Sequence, residues 1–144
     1  MPNRILIDHI GWDLWRASQA WKSQLTQKMV ARGHAVYGEA RGGLIRHIGV
    51  EGISQVALAN KAGVSKQAVQ QHIDELVNEG YAVRRPDPTD ARKKIVVLTQ
   101  KGEALFHVAN DVKQEIEEHY LELIGAEHMQ VLRAALAKIV EDGS

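Results

Sequence analysis

Residues 54–80 read SQVALANKAGVSKQAVQQHIDELVNEG, two short helical patterns with a glycine between them. Ser54 and Ser65 each stand directly before a pattern, where a hydroxyl can accept a hydrogen bond from a free N–H group of the first helical turn. Gly63 supplies the positive φ of a tight turn, and Gly80 follows the second pattern, as is usual after a helix C-terminus. The stretch therefore predicts a helix–turn–helix.

The apolar residues of the two helices indicate how they pack. The small side chain of Ala59 lets the helices touch, and Val69 fixes the second helix against the first. The residues expected to face inward are Val56 and Ala59 in the first helix and Val69, Ile73, Leu76 and Val77 in the second. Two short helices around a glycine are common in helical proteins, so this unit alone does not indicate a function.

A predicted β-hairpin follows the second helix directly. Residues 81–85 and 95–98 predict two strands, and the prolines and aspartates of residues 86–90 predict an irregular tip between them. Five cations gather in and beside the tip, namely Arg84, Arg85, Arg92, Lys93 and Lys94. A helix–turn–helix followed by a basic hairpin predicts a winged helix.

The outward face of the second helix carries long amides and a lysine in its first two turns. These residues are Lys66, Gln67, Gln70 and Gln71. Glutamine can pair with adenine through two hydrogen bonds and lysine can bind guanine, whereas a merely solvated helix face more often carries Glu–Lys pairs. Contact with DNA bases is the favoured interpretation, and an inert polar surface is the alternative.

An amphipathic helix is predicted N-terminal to this unit. It ends near Arg32, and Asp8 is available as its cap or first-turn acid. Its inward stripe consists of Ile7, Ile10, Leu14, Ala17, Trp21 and Leu25. Trp12 and Trp15 lie outside this stripe and give the helix a second apolar edge. A helix with two apolar edges packs against two partners, and another chain is a candidate for one of them.

Three further helices are predicted. A helix over residues 36–48, weakened by its glycines, is expected to bury Tyr37, Ala40, Leu44, Ile45 and Ile48. A long helix begins after Thr99 and ends at Gly125, and its inward residues are Leu105, Val108, Ala109, Val112, Ile116, Tyr120 and Leu123. The last helix has an apolar face made of Met129, Leu132, Leu136, Ile139 and Val140.

The charge of the chain is zero in total and uneven along its length. With 18 basic and 18 acidic side chains the formal net charge is zero, which taken alone argues against a nucleic-acid binder. Residues 1–53 carry seven basic and four acidic side chains and residues 54–101 carry eight and five, whereas residues 102–144 carry three and nine. The neutrality is a cancellation between a basic body and an acidic C-terminal region.

Composition argues against several kinds of site. The chain has no cysteine, which excludes disulfides, thiol nucleophiles and cysteine-ligated zinc. No apolar run approaches the length of a membrane span and the N-terminus lacks the core of a signal peptide, so a cytoplasmic protein is expected. Histidines and glutamates near the C-terminus suggest a metal site, but such helix faces are usually solvated, and we expect no metal or other cofactor. These residues are Glu115, Glu118, His119, Glu122 and His128.

One motif runs through the hairpin into the next helix. It begins with Asp87-Pro88-Thr89-Asp90-Ala91-Arg92, continues through the second strand to Leu98-Thr99, and ends at Gly102. This motif resembles the wing signature of the MarR (multiple-antibiotic-resistance regulator) family of winged-helix transcription factors. The resemblance extends from about Ser54 to Leu105. Ala91 departs from the family pattern, in which a second arginine is common at that position.

The resemblance implies a mainly α fold with a small β-hairpin wing (α+β). Residues 1–35 and 103–144 would form a helical dimerisation region, and residues 36–102 the winged helix–turn–helix DNA-binding domain. The helix after Ser65 would lie in the major groove. Arg92 would enter the minor groove at the wing tip, with Asp90 orienting it through an ion pair; a surface ion pair without such a role is the alternative.

We therefore predict a cytoplasmic homodimer that regulates transcription, acts as a repressor on a pseudo-palindromic operator in double-stranded DNA, and is not an enzyme. The residues predicted to contact DNA are Ser54, Gln55, Ser65, Lys66, Gln67, Gln70, Gln71, Arg84, Arg85, Asp90, Arg92, Lys93 and Lys94. The alternatives are a protein-interaction module without DNA binding and, less favoured, a small metal-dependent hydrolase.

The resemblance also implies a small aromatic effector that binds between the dimerisation helices and the DNA-binding lobe. The candidate residues are Trp12, Trp15, His34 and Tyr37. Packing in the core or at a dimer interface is the alternative for the tryptophans, and it is the more common role of such residues.

Overall fold

The computed structural model describes residues 7–143, and within that range helices surround one small sheet. The elements in chain order are α1 (Ile10–Ala31), a 3₁₀ turn (Ala35–Gly38), α2 (Ala40–Gly43), α3 (Ile45–Ile48), β1 (Ile53–Ser54), α4 (Gln55–Ala62), α5 (Lys66–Asn78), β2 (Ala82–Pro86), β3 (Lys94–Leu98), α6 (Gln100–Ile124) and α7 (Ala126–Gly143). The predicted fold class, mainly α with a small β-hairpin wing, is confirmed. No helix in this part of the chain is long and apolar enough to cross a lipid bilayer.

The helix–turn–helix forms as predicted. The hydroxyl of Ser54 accepts a hydrogen bond from the N–H of Ala57 at 3.1 Å, and the hydroxyl of Ser65 accepts one from Ala68 at the same distance. Gly63 adopts a φ of +68°, which lets the chain reverse between α4 and α5 without strain. Both serine caps and the glycine turn are thus confirmed.

The core between α4 and α5 differs from the prediction at one position. Its buried residues are Leu58, Ala59, Val69, Ile73 and Leu76. The prediction that Val56 faces inward is wrong, because its side chain is 55% exposed. A helix of two turns is too short for apolar spacing alone to determine the buried face, and Leu58 occupies the place expected for Val56.

The sheet contains a strand that the sequence does not predict. Ile53 and Ser54 form β1 and pair with Val96 and Ile95, so that β3 lies between β1 and β2. The approach requires Gly52, since a Cβ atom there would lie 2.8 Å from the carbonyl oxygen of Val96. Two residues are too few to show the alternation by which a strand is recognised.

The continuous helix predicted over residues 36–48 is wrong. The chain instead forms the 3₁₀ turn, α2 and α3 in succession. A Cβ atom on Gly42 would overlap the carbonyl oxygen of Val36, so the segment folds back on itself more tightly than one helix allows. Val36 is buried in place of Tyr37, which is half-buried, and Ala40 is exposed.

The cap of α1 also differs from the prediction. Nδ1 of His9 accepts a hydrogen bond from the N–H of Trp12 at 3.3 Å, so His9 is the N-cap and Asp8 is not. Asp13 is the acidic residue of the first turn. Toward its C-terminus α1 buries Leu25 together with a methionine that the predicted stripe did not include, Met29.

Two helix faces remain uncovered by residues 7–143 of the same chain. The predicted inward residues Ile7 and Ile10 of the first stripe are 78% and 66% exposed, and Leu123 at the end of α6 is 71% exposed. None of the 18 residues of α7 is buried. An isolated helix of this length is only marginally stable in water, so both faces require another packing partner.

Candidate nucleic-acid interface

The N-terminal half of α5 presents its polar side chains to solvent. Lys66, Gln67, Gln70 and Gln71 are all exposed, while the opposite face of the helix is buried in the core. Residues three and four positions apart share a helix face, so Lys66, Gln67, Gln70 and Gln71 form one polar strip. Their exposure agrees with the predicted outward face of this helix.

Two surface depressions connect the strip with α4 and with the hairpin. The first lies between α4 and α5 and is lined by Gln55, Val56, Lys66, Gln67, Val69 and Gln70. The second lies between α4 and the hairpin and is lined by Ser54, Gln55, Val56, Asp87, Lys93 and Lys94. Gln55 and Val56 belong to both depressions. A continuous surface therefore joins those predicted contact residues that line the two depressions, namely Ser54, Gln55, Lys66, Gln67, Gln70, Lys93 and Lys94.

Two aspartates build the tip of the hairpin. Oδ1 of Asp87 accepts hydrogen bonds from the N–H and the hydroxyl of Thr89, both at 2.8 Å, and Oδ1 of Asp90 accepts one from the N–H of Arg92 at 3.1 Å. Each carboxylate thus closes a turn with the residue two positions on. The bonds from Thr89, first the N–H and then the hydroxyl, hold the pKa of Asp87 below its ordinary value.

Arg92 projects from this tip with 91% of its side chain exposed. Its Nε lies 3.2 Å from Oδ1 of Asp90, the same oxygen that closes the turn. The ion pair implied by the family resemblance is therefore present. Its role in aiming Arg92 at DNA stays a prediction.

The other predicted cations fall into two environments. Nη2 of Arg84 lies 2.6 Å from Oδ1 of Asp74, and only 26% of the arginine side chain is exposed. This pair braces β2 against α5. Arg85, Lys93 and Lys94 are exposed. The part of the hairpin that presents positive charge to solvent is thus its outer end, beyond Arg84.

The last part of the motif fixes the hairpin to the body of the protein. Oγ1 of Thr99 accepts a hydrogen bond from the N–H of Gly102 at 3.2 Å and donates one to the carbonyl oxygen of Gly80. The N–H of Thr99 donates to the carbonyl oxygen of Tyr81 at 3.0 Å. A Cβ atom on Gly102 would overlap that same oxygen. The Leu-Thr-x-x-Gly segment therefore sets the position of the hairpin relative to α6.

An arginine outside every predicted motif holds the C-terminal end of α5. Nε of Arg41 donates to Oε1 of Glu79 at 2.5 Å, and its Nη2 donates to Oε2 at 3.1 Å. Arg41 also pairs with Glu39, and its Nε lies 3.9 Å from Oε2 of Glu75. Sequence reasoning missed this contact because Arg41 and Glu79 are 38 residues apart and belong to no local pattern.

This ion pair predicts a pH-dependent contribution to stability. The hydrogen bond from Arg41 lowers the pKa of Glu79 from its ordinary value of 4.5. The stabilisation is therefore present above pH 4.5 and is lost as the pH falls through the lowered pKa. We expect Glu79→Gln to reduce the free energy of unfolding by about 0.5–1 kcal/mol at pH 7 and to have no effect in acid below both pKa values.

Urea unfolding of wild type and variant at both pH values measures this difference. Glu122→Gln, which removes the same charge from an exposed position of α6, is the matched control and should not alter stability. A Glu79→Gln effect of equal size at both pH values would show that the ion pair is not its source.

The four residues predicted to bind an effector lie in different surroundings within residues 7–143. Trp12 and Trp15 stack on each other with ring centroids 5.0 Å apart and planes 12° from parallel. Tyr37 instead lines a groove with Trp21, and that groove includes neither Trp12, Trp15 nor His34. Trp12 and Trp21 are nine positions apart, or about 13 Å along the helix axis. A single effector pocket formed by all four residues stays a prediction.

The groove beside Tyr37 lies between α1 and the segment from the 3₁₀ turn to α3. Its lining includes Trp21, Lys22, Thr26, Tyr37, Glu39 and Arg46. Burial raises the pKa of the Tyr37 hydroxyl above its ordinary value, and the charge of Arg46 opposes this effect. An aromatic wall with cations at its edge suits a planar anion.

Two of the five glutamates and histidines singled out near the C-terminus, Glu115 and His128, make other contacts. Residues 7–143 contain no group of three or more acidic or histidine side chains arranged to hold a metal ion. Glu115 pairs with Arg32 and Lys28 and so ties α6 to α1. Nδ1 of His128 lies 3.0 Å from the carbonyl oxygen of Ile124.

Comparison with known proteins agrees with the motif. The sequence model of the MarR family matches residues 41–93, from α2 to the tip of the hairpin. Over this stretch the chain is similar to the MarR family. Transcriptional regulator HosA of Escherichia coli O111:H- is 28% identical over 89 residues, which make up 62% of this chain and 66% of HosA. The match thus spans slightly less than two thirds of HosA.

Solved structures show the same fold. MarR of E. coli in its apo form has a TM-score of 0.74, with 22% identity over 93% of this chain and 98% of MarR. The transcriptional repressor CouR, bound to a 23-mer DNA duplex, has a TM-score of 0.72, with 24% identity over 92% of each chain. Both solved structures therefore share the fold of this chain.

Proposed function

We propose that this MarR-type regulator binds an operator in double-stranded DNA as a homodimer and represses transcription. The observation that carries the proposal is the continuous surface formed by the polar strip of α5, the start of α4 and the basic outer end of the hairpin. On this surface α5 enters the major groove, where its amides and Lys66 reach base edges. Arg92 reaches the adjacent minor groove, and Arg85, Lys93 and Lys94 contact phosphates.

The uncovered helix faces support the homodimer. The exposed apolar residues of α7 and the N-terminal half of α1 have no partner surface among the described residues of their own chain, whereas a second copy supplies both faces at once. Residues 1–35 and 103–144 then act as the dimerisation region and residues 36–102 as the DNA-binding domain. A twofold dimer reads two half-sites about one helical turn, roughly 34 Å, apart, so its operator is pseudo-palindromic.

The groove beside Tyr37 is the best-supported effector site. It lies between α1 of the dimerisation region and α2, whose Arg41 holds the end of α5. A small aromatic acid bound in this groove would shift α2 and thereby change the distance between the two α5 helices of the dimer. Only one such distance fits both half-sites. Trp12 and Trp15 join such a site only if the partner subunit brings them there.

The proposed function is tested by measuring DNA binding of the purified protein over a range of salt concentrations. The protein should retard random duplex DNA at low salt and release it steeply as salt rises. Selection of bound sequences from random duplexes should then return an inverted repeat. Indifference to DNA at low salt would favour the protein-interaction module instead.

The wing assignment predicts a specific effect of Arg92→Ala. The variant should bind the selected operator about 10- to 100-fold more weakly, and the slope of log affinity against log salt should fall by about 2, because each dimer carries two wings. Arg92→Lys is the matched control: it retains the charge and should retain the slope. Unchanged affinity and slope for Arg92→Ala would contradict the wing assignment.

A further inference from the structure

Val56 is an exposed apolar side chain at the centre of a polar surface. With 55% of its area exposed it is not part of the core, to which α4 contributes Leu58 and Ala59. It lines both depressions described above, the one beside the polar strip of α5 and the one beside Lys93. It therefore lies where the major-groove helix and the wing meet.

Helix stability does not account for a valine at this position. A β-branched side chain lowers helix propensity relative to alanine, and α4 has only eight residues, so each position matters. An exposed valine also leaves its methyl groups in water, which a binding partner could relieve by covering them. The partner must offer an apolar group within an otherwise polar surface.

The major groove offers one such group. Base edges there present hydrogen-bond donors and acceptors, except for the C5-methyl group of thymine. We propose that Val56 contacts the C5-methyl group of a thymine in each half-site and makes that position selective for T. The inference rests on the proposed function, in which α5 lies in the major groove. It assigns a specificity-determining role to a residue for which the sequence analysis predicted burial.

The neighbouring side chains place this thymine in a definite context. Gln67 and Gln70 line the same depression as Val56, and glutamine amides suit adenine. Each half-site should therefore contain A·T pairs next to the selective thymine. A contact between Val56 and deoxyribose would give no preference among bases, so the two contacts are distinguishable.

The test replaces each thymine of the selected operator, one at a time, by deoxyuridine, which lacks only the methyl group and pairs as thymine does. Affinities of the wild-type protein, Val56→Ala and Val64→Ala are measured at one salt concentration. Val64 is the matched control, a second exposed valine in the turn after α4 that lines neither depression. Thermal unfolding verifies that both variants remain folded.

We expect one symmetry-related thymine pair at which deoxyuridine weakens wild-type binding about fourfold for one half-site and about 15-fold for both. Val56→Ala should bind the thymine and deoxyuridine operators equally, and Val64→Ala should discriminate as the wild type does. Equal wild-type affinity for every substituted duplex would overturn the proposal. Retained discrimination in Val56→Ala, or a uniform weakening of all duplexes, would overturn it too. No DNA binding by the wild type would instead refute the proposed function.

Discussion

Gly102→Ala is expected to lower the free energy of unfolding by about 2–4 kcal/mol, although it adds a single methyl group. Gly102 lies buried in the first turn of α6, and a Cβ atom added there would overlap the carbonyl oxygen of Tyr81 and lie 3.1 Å from Cδ2 of Leu98. Alanine gains about 1 kcal/mol over glycine from helix propensity. A net loss therefore means that the steric conflict exceeds this gain.

The contact can relax only by moving the hairpin away from α6. Tyr81 leads directly into β2, and its carbonyl oxygen also accepts the hydrogen bond from the N–H of Thr99. Displacing Tyr81 would break this bond and rotate the wing. We therefore expect Gly102→Ala to bind DNA more weakly even at temperatures at which it is fully folded.

Gly43→Ala is the matched control for this prediction. Gly43 is also helical, but a Cβ atom there meets nothing within 4 Å. The substitution should leave stability unchanged or raise it by up to about 1 kcal/mol. Urea unfolding of the three proteins at one protein concentration gives the comparison, because the stability of the proposed dimer would depend on concentration. If Gly102→Ala proves as stable as the wild type, the close packing of the hairpin on α6 is wrong.

Features that depend on neighbours in the chain could be predicted from the sequence. The caps Ser54, Ser65 and Thr99 each act on an N–H group three residues on, and Gly63 acts on its own backbone. The wing tip is equally local, since Asp87 closes its turn two residues ahead. A short pattern is sufficient information for such contacts.

Features that depend on distant contacts could not be predicted. The pairing of Arg41 with Glu79 and the short strand at Ile53 both join segments far apart in the chain. The break in the predicted helix over residues 36–48 likewise comes from a close approach, that of Gly42 to Val36. The spacing of apolar residues indicates which face of an element is buried. Only the packed structure shows which residues that face contacts.

The same distinction between local and distant contacts applies to the candidate site. Lys66 and Gln70 were placed correctly because α5 is long and strongly amphipathic, so its buried face determines its exposed one. Val56 was misplaced because α4 is short. Arg84 shares the chemistry of the other wing cations, and only the structure shows that it is paired with Asp74.

A dimer-breaking variant should have the largest effect on DNA affinity. Leu132→Glu combined with Ile139→Glu adds two charges to one face of α7, where the side chains are 47% and 52% exposed within a chain. Since these residues support no core of their own subunit, the fold of each subunit should survive. The proposed homodimer should dissociate into monomers, because burying two unpaired carboxylates in an apolar interface is costly.

The expected consequence follows from bivalency. A dimer binds its second half-site intramolecularly, an advantage of 10²- to 10⁴-fold, so the monomeric variant should lose operator affinity by at least about 100-fold. Light scattering gives the oligomeric state and fluorescence anisotropy the affinity. Gln130→Glu combined with Ala137→Glu adds the same charges at the same spacing, about 160° around the helix, and should remain dimeric. If the Leu132/Ile139 variant stays dimeric and binds the operator normally, α7 is not the interface, and its uncovered face belongs to a different partner.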